Sequence, residues 1–199
     1  MLTARLGILH PIIQGPFGGG LSSVKLAAAV SEAGGLGSFG AHNLAPGEIA
    51  RVIEELRAAT TRPFNINLWV SRQDDDASRV SAAQHEAALR RFAPIYARLG
   101  IAPPAPAPSE ADAFTFEQQA EVVLSHRPAV FSFVFGIPDS SILRECRRQG
   151  ILTLGAATTP DEAVALEAAG VDMIVATGSD AGGHRPSVLQ PAERSLVGT

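Results

Sequence analysis

The sequence contains a single cysteine, Cys146. That excludes an internal disulfide and any cysteine-rich zinc site. No pair of its five histidines has the spacing of metal ligands on a helix, so no metal is expected. Charged residues make up only 18% of the chain, the net charge is −4 and no basic run occurs. Nothing therefore points to a nucleic-acid partner. No apolar run reaches the length of a membrane span, and the opening Met1 to Leu6 lacks the long apolar core of a signal peptide. No membrane partner and a cytoplasmic location are the expectations. Nucleotide loops are also missing. No G-x-x-x-x-G-K-[ST] occurs, and Gly15 to Gly20 does not have the G-x-G-x-x-G spacing of a dinucleotide fingerprint.

What is present is 46% hydrophobic residues in 199, enough for one domain with a sizeable core. Apolar runs alternate with helical patterns. Strands are expected at Pro11–Gln14, Leu36–Gly40, Phe64–Val70, Ala129–Phe135, Ile151–Leu154 and Met173–Ala176. Helices are expected between them: about 24–33 after a Ser22 or Ser23 cap, 45–58, 116–125, 141–149, and one opening at Pro160. The last reads as a capped start, with Thr159 as cap, Pro160 at the first helical position and Glu162 completing a capping box. Residues 71–115 interrupt the alternation as an insertion. It holds an acidic run, Asp74–Asp76, a helix over about 81–99 that Pro94 should kink or split, and a proline-rich connector from Ala102 to Pro108.

Mostly continuous apolar strands joined by helices mean a parallel sheet. A doubly wound sheet and a barrel are the two architectures left by right-handed crossovers. The unusual residues sit after the strands: Gln14 to Gly18, Asn67, Phe135-Gly136, and Thr177 to His184. Ligands collect at the C-terminal ends of barrel strands, so this clustering favours the barrel. The last stretch, Thr177-Gly178-Ser179-Asp180-Ala181-Gly182-Gly183-His184-Arg185, is a strand opening into a glycine-rich loop. Its glycines let backbone approach a flat ligand. His184 is its only group with an unperturbed pKa near neutrality, the natural general base or acid.

The stretches His10–Pro16, Pro63–Leu68, Phe133–Pro138 and Gly178–Arg185, in this order and spacing, resemble the nitronate monooxygenases, formerly called 2-nitropropane dioxygenases. The resemblance covers essentially the whole chain, and the Asp-Ala-Gly-Gly-His run is its most specific part. It implies an FMN-dependent TIM (β/α)8 barrel with the flavin across its C-terminal mouth. By resemblance, Gly15, Pro16, Phe17 and Asn67 face the isoalloxazine, and Thr177, Gly182 and Gly183 line its other contacts. His184 matches the catalytic histidine. The implied partners are FMN, a small nitronate or nitroalkane substrate and molecular oxygen, with a carbonyl compound and nitrite as products. Two positions depart from relatives: Val134 stands where some have a polar residue, often His, and Thr177 where several have Gln.

A complete barrel of this kind has eight βα units and about 250 residues or more. The sequence accounts for about six such units, so residues 1–199 are expected to form one incomplete barrel domain, with 71–115 inserted after the third strand. The loops after the seventh and eighth strands hold the FMN phosphate by resemblance, so the chain alone is expected to bind FMN poorly. Its first and sixth strands would be open edges that favour self-association. Two other functions compete: an NAD(P)H-dependent flavin reductase of the enoyl-thioester or quinone type on the same barrel, and an inactive fragment that needs the remaining strands. Among the other histidines, His42 is expected in a surface loop, His10 and His126 at the stability face, and His85 on a solvated helix. Cys146 is expected to be structural.

Overall fold

The computed structural model describes residues 2–70, 81–104 and 114–198. The chain divides into two units, Met1–Ser71 with Phe114–Thr199, and Arg72–Ala113. The first unit contains the strands β1 (Gly37–Gly40), β2 (Phe64–Trp69), β3 (Val130–Val134), β4 (Leu152–Ala157) and β5 (Met173–Ala176). Its helices are α1 (Leu2–Leu6), α2 (Val24–Glu32), α3 (Pro46–Ala59), α5 (Phe116–His126), α6 (Ser140–Gln149) and α7 (Pro160–Ala168); α4 (Ala82–Leu99) belongs to the second unit. The strands form one parallel sheet in the order β1-β2-β3-β4-β5. A doubly wound sheet reverses its order once and so is never sequential. Where each right-handed crossover steps to the next strand, the helices all fall on one face and the sheet is a barrel wall.

The segment expected as a first strand is reduced to a single parallel bridge, Ile13 opposite Leu36. Leu36 N–H donates to Ile12 O at 2.9 Å and Gln14 N–H to Leu36 O at 3.0 Å. Pro16 lacks the N–H that the next rung would need, and on the other side Ile12 N–H turns to His10 O at 2.7 Å, so the ladder stops at one bridge. The sheet therefore has five strands and a bridge where the sequence suggests six strands. The helix α1 leaves no sign in the sequence, because five residues show no helical period.

Period two sorts the strand residues onto two faces. Ile66, Leu68, Phe131 and Phe133 face the helices and form the main core with Ile49, Ile53 and Leu56 of α3, Val123 of α5 and Cys146 of α6. Each such fully buried side chain stabilises by roughly 1.5–3 kcal/mol relative to exposure. Gly37 lets α2 lie directly on β1, since a Cβ there would stand 1.8 Å from Ala27 O. On the opposite face Leu36, Val130 and Leu154 pack with Leu6 and Ile8, so α1 and the residue after its turn close the bottom of the barrel interior.

Caps follow the sequence with one correction. Ser23 Oγ accepts Leu26 N–H at 3.1 Å, and Thr159 Oγ1 accepts Glu162 N–H at 3.3 Å. The Glu162 carboxylate does not close a capping box on Thr159. It accepts both the N–H and the hydroxyl of Thr158, each at 2.6 Å. Glu162 is buried, and a buried carboxylate needs more donors than one cap N–H supplies.

In the second unit, α4 runs unbroken through Pro94, where the sequence suggests a kink or split. The ring removes one bond of an 18-residue helix that is closed by a Ser81–Gln84 capping box and by Gly100 at φ 65°. No residue of α4 is buried. Asp74–Asp76 and the end of the proline-rich connector lie outside the described residues. Among the described residues no helix is long and apolar enough to cross a membrane.

Candidate active site

Parallel pairing brings the C-terminal ends of all five strands to one rim. Just below it, where large branched side chains usually fill a barrel, lies a polar layer. Registers place Ser38 opposite Asn65 and Asn67 opposite Ser132. Asn65 Nδ2 donates to Ser38 Oγ at 3.2 Å and to Ser132 Oγ at 2.8 Å, and Asn67 Nδ2 donates to the same Ser132 Oγ at 2.9 Å. Gln14 joins from the bridge, its Nε2 donating to Ser38 O at 3.0 Å. Asn65 Oδ1 is buried without a partner, an unsatisfied acceptor of the kind that marks sites in native proteins.

Two residues beyond Asn67, and so on the same strand face, stands Trp69. The His42 ring stacks flat on it, centroids 3.7 Å apart and planes at 1°. The rings of Phe135 and His184 meet Trp69 edgewise at 4.8 and 5.0 Å. Phe135 reaches it from a left-handed backbone, φ 59°, followed by Gly136, where a Cβ would fall 2.7 Å from Val70 Cβ. A non-glycine residue held there is uncommon and costs stability, which fits a functional corner. Burial and then the charge of nearby His184 hold the His42 pKa below its usual value. His42 Nδ1 is buried and unpartnered.

The loop after β5 is tied at several points. Arg185 Nη1 donates to Thr177 O at 2.6 Å and Nη2 to Thr158 O at 3.1 Å and to Ser195 O. Glu162 Oε1 accepts the N–H groups of Val188 at 2.7 Å and Leu189 at 3.1 Å. His184 itself is exposed, next to a guanidinium anchored on carbonyls.

The residues singled out in the sequence gather at this rim but differ in what they can still bind. His184 joins the aromatic corner. Asn67 is buried, with one amide bond engaged by Ser132. The Gly15–Phe17 loop is held by Ser22, whose Oγ accepts Phe17 N–H at 2.9 Å, and the Phe17–Gly18 backbone lies on Gly40. Thr177 has both backbone groups engaged, its N–H donating to Ala157 O at 2.8 Å, so its hydroxyl is what it can offer a ligand. Gly182 and Gly183 border open space. His42 lies in the loop after β1, on the ligand side, but half-buried rather than at the surface, because it stacks on Trp69 with Gly18 at its edge. The one sign of Trp69 in the sequence is its place two residues from Asn67, on the same strand face. Cys146 is buried, and burial, aided by the Asp172 charge, pushes its thiol up to about 12, so it is no nucleophile.

The family model for nitronate monooxygenase matches residues 1–198. A nitronate monooxygenase of Paraburkholderia phytofirmans is 42% identical over 185 residues, 92% of this chain and 49% of that protein. One from Pseudomonas aeruginosa is 40% identical over 95% of this chain and 52% of its own length. Among solved structures, the nitroalkane oxidase of Streptomyces ansochromogenes superposes with a TM-score of 0.81 at 35% identity, covering 99% of this chain and 54% of that one. FabK of Thermotoga maritima gives 0.66 at 26% identity, covering 94% and 46%. The chain thus spans about half the length of the relatives it matches, with a sequential parallel sheet and a glycine-histidine loop at its rim, and it belongs to the nitronate monooxygenase family.

Proposed function

We propose that this chain carries the histidine-bearing part of an FMN-dependent enzyme that oxidises alkyl nitronates, or the parent nitroalkanes, to a carbonyl compound and nitrite with molecular oxygen. The observation that supports it most is the convergence of His184, Trp69 and Phe135 at the rim, above a polar layer with an orphaned acceptor. The residues there fit a flat ring with a polar edge. Asn65 Oδ1 is an acceptor without a donor, Asn67 has amide capacity beyond its one bond, and Gly182 and Gly183 leave open space. Gly15, Pro16, Phe17 and Asn67 would hold the isoalloxazine, with Thr177, Gly182 and Gly183 at its remaining contacts. When bound, FMN supplies the electron transfer and the reaction with oxygen.

The residues of this chain do the proton and charge work. With a neutral nitroalkane, an imidazole nitrogen of His184 takes the α-proton while the C–H electron pair moves into the nitro group. With a preformed nitronate, the protonated imidazole holds the anion by charge and hydrogen bond. Arg185 and Glu162 keep the loop in place while His184 acts. The apolar residues Ile12, Ile174 and Val175, exposed near the two ends of the sheet, support self-association through open edges.

The test is nitrite release from the FMN-supplied chain with ethyl nitronate and no NAD(P)H. Release that disappears in His184→Ala supports the reading. Fast FMN reduction by NAD(P)H without nitrite would instead establish the reductase alternative. Neither activity, with no FMN retained, would establish the fragment.

A further inference from the structure

Trp69 is the single tryptophan of the sequence, and three rings surround it. We infer that Trp69, backed by His42, is the specificity-determining residue of the site, and that it receives the apolar hydrocarbon part of the substrate while the nitro or nitronate group lies at His184. This rests on the nitronate reading above.

The backing is rigid. His42 lies flat on the indole at 3.7 Å, and Gly18 lies against its Cε1 edge. A Cβ at Gly18 would come 2.2 Å from His42 Cε1 and 3.0 Å from Nδ1, so only a glycine lets that loop pass so close to the imidazole edge. A held ring makes a surface that need not reorganise when a ligand arrives. Phe135 extends the surface at 4.8 Å from Trp69 and 6.0 Å from His184, aimed by its left-handed backbone.

Above the polar layer of Asn65 and Asn67, the groups that meet Trp69 are rings. Trp69 and Phe135 offer ring faces and edges, and His42 is uncharged at neutral pH because burial disfavours its protonated form. Arg185, next in sequence to His184, has its guanidinium on the carbonyls of Thr177, Thr158 and Ser195. Of the rings meeting Trp69, His184 is the one that can bind an anion. Among the described residues the rings meeting Trp69 offer one anion partner, so the corner suits one anionic head and a hydrocarbon tail, and a second carboxylate would lose hydration there.

The single indole makes this testable without turnover. Straight-chain carboxylates from acetate to octanoate serve as unreactive anions of the same charge, titrated into the chain while Trp69 emission is read. The half-saturating concentration should fall about two- to four-fold per methylene over the first few carbons, and butyrate should bind more tightly than succinate. In Gly18→Ala, whose backbone is not left-handed, the displaced His42 should flatten this dependence while both rings remain present. Far-UV circular dichroism checks that each variant folds, and His42→Phe, which keeps a ring in the stack, should retain the dependence. Equal half-saturation for acetate and octanoate, tighter binding of succinate, or no emission response to any carboxylate would overturn the proposal. A chain-length response without nitrite release from any nitronate would uphold the wall and sink the reaction. Nitrite release with kcat/KM independent of chain length would do the reverse.

Discussion

The carboxylate of Glu162, at the start of α7, accepts the backbone N–H of Val188 at 2.7 Å. This contact joins the cap of one helix to the loop that carries His184. The same side chain takes the N–H and hydroxyl of Thr158 and the N–H of Leu189, so one buried group organises two segments that are 26 residues apart. Arg185 works on the same joint from the other side, through Thr158 O and Thr177 O.

Glu162→Ala should therefore cost about 2–4 kcal/mol, since it leaves several buried donors without an acceptor. Glu162→Gln keeps one acceptor oxygen and should cost roughly half as much. Urea unfolding with unchanged m-values measures both. A loss within experimental error of zero for the alanine variant would contradict the latch.

The latch also sets an acid limit. Burial alone would raise the Glu162 pKa, but hydrogen bonds from Thr158, Val188 and Leu189 outweigh it and leave the pKa below the usual 4.5. The folded state thus favours the ionised form. Its contribution is present above the unfolded value and is lost as pH falls through the lower folded one. Thermal midpoints measured from pH 7 downward should begin to fall near about 4.5, and that fall should be shallower in Glu162→Gln.

Replacing His184 should separate chemistry from folding. The side chain is exposed, so His184→Ala should leave the thermal midpoint nearly unchanged while lowering nitrite release by about 100-fold or more. A variant that keeps most of its activity would remove His184 from the reaction.

The His42–Trp69 stack should be visible in the pH dependence of emission. A protonated imidazole takes an electron from excited indole, so emission should drop as His42 gains its proton. Burial first, and the charge of His184 second, hold that step below the usual 6.5. In His184→Ala the step should move up yet remain under that value, because burial is the larger cause. In a double variant that also carries His42→Phe it should vanish.

Gly37→Ala tests how closely α2 lies on the sheet. Its Cβ would meet backbone, Ala27 O at 1.8 Å, which no side-chain rotation relieves. A loss above about 3 kcal/mol, or failure to fold, is expected. Gly150→Ala makes a useful contrast: space there is open and only the φ of 74° is unfavourable, so about 1 kcal/mol should be lost.

Much of this arrangement is legible in the chain. Mostly apolar runs such as Ala129 to Phe135, helix starts at Ser23 and Thr159, and strand-end clustering of Asn67 and the 177–185 loop follow from local chemistry, and local chemistry is written in order. Residues that failed to read correctly were those whose state depends on distant neighbours. Pro11–Gln14 keeps one bridge, with Leu36, because Pro16 cannot donate to the ladder and Ile12 N–H turns to His10 O. Glu162 left its capping box for Thr158 and for a loop that only the fold brings near. The parallel pairing of the strands, and the clustering of special residues after them, follow from the sequence by itself. Tertiary structure alone decided that His42 lies on Trp69 and that His184 meets the same indole, because contacts between two loops and a neighbouring strand follow from register and sheet curvature, which no local pattern encodes.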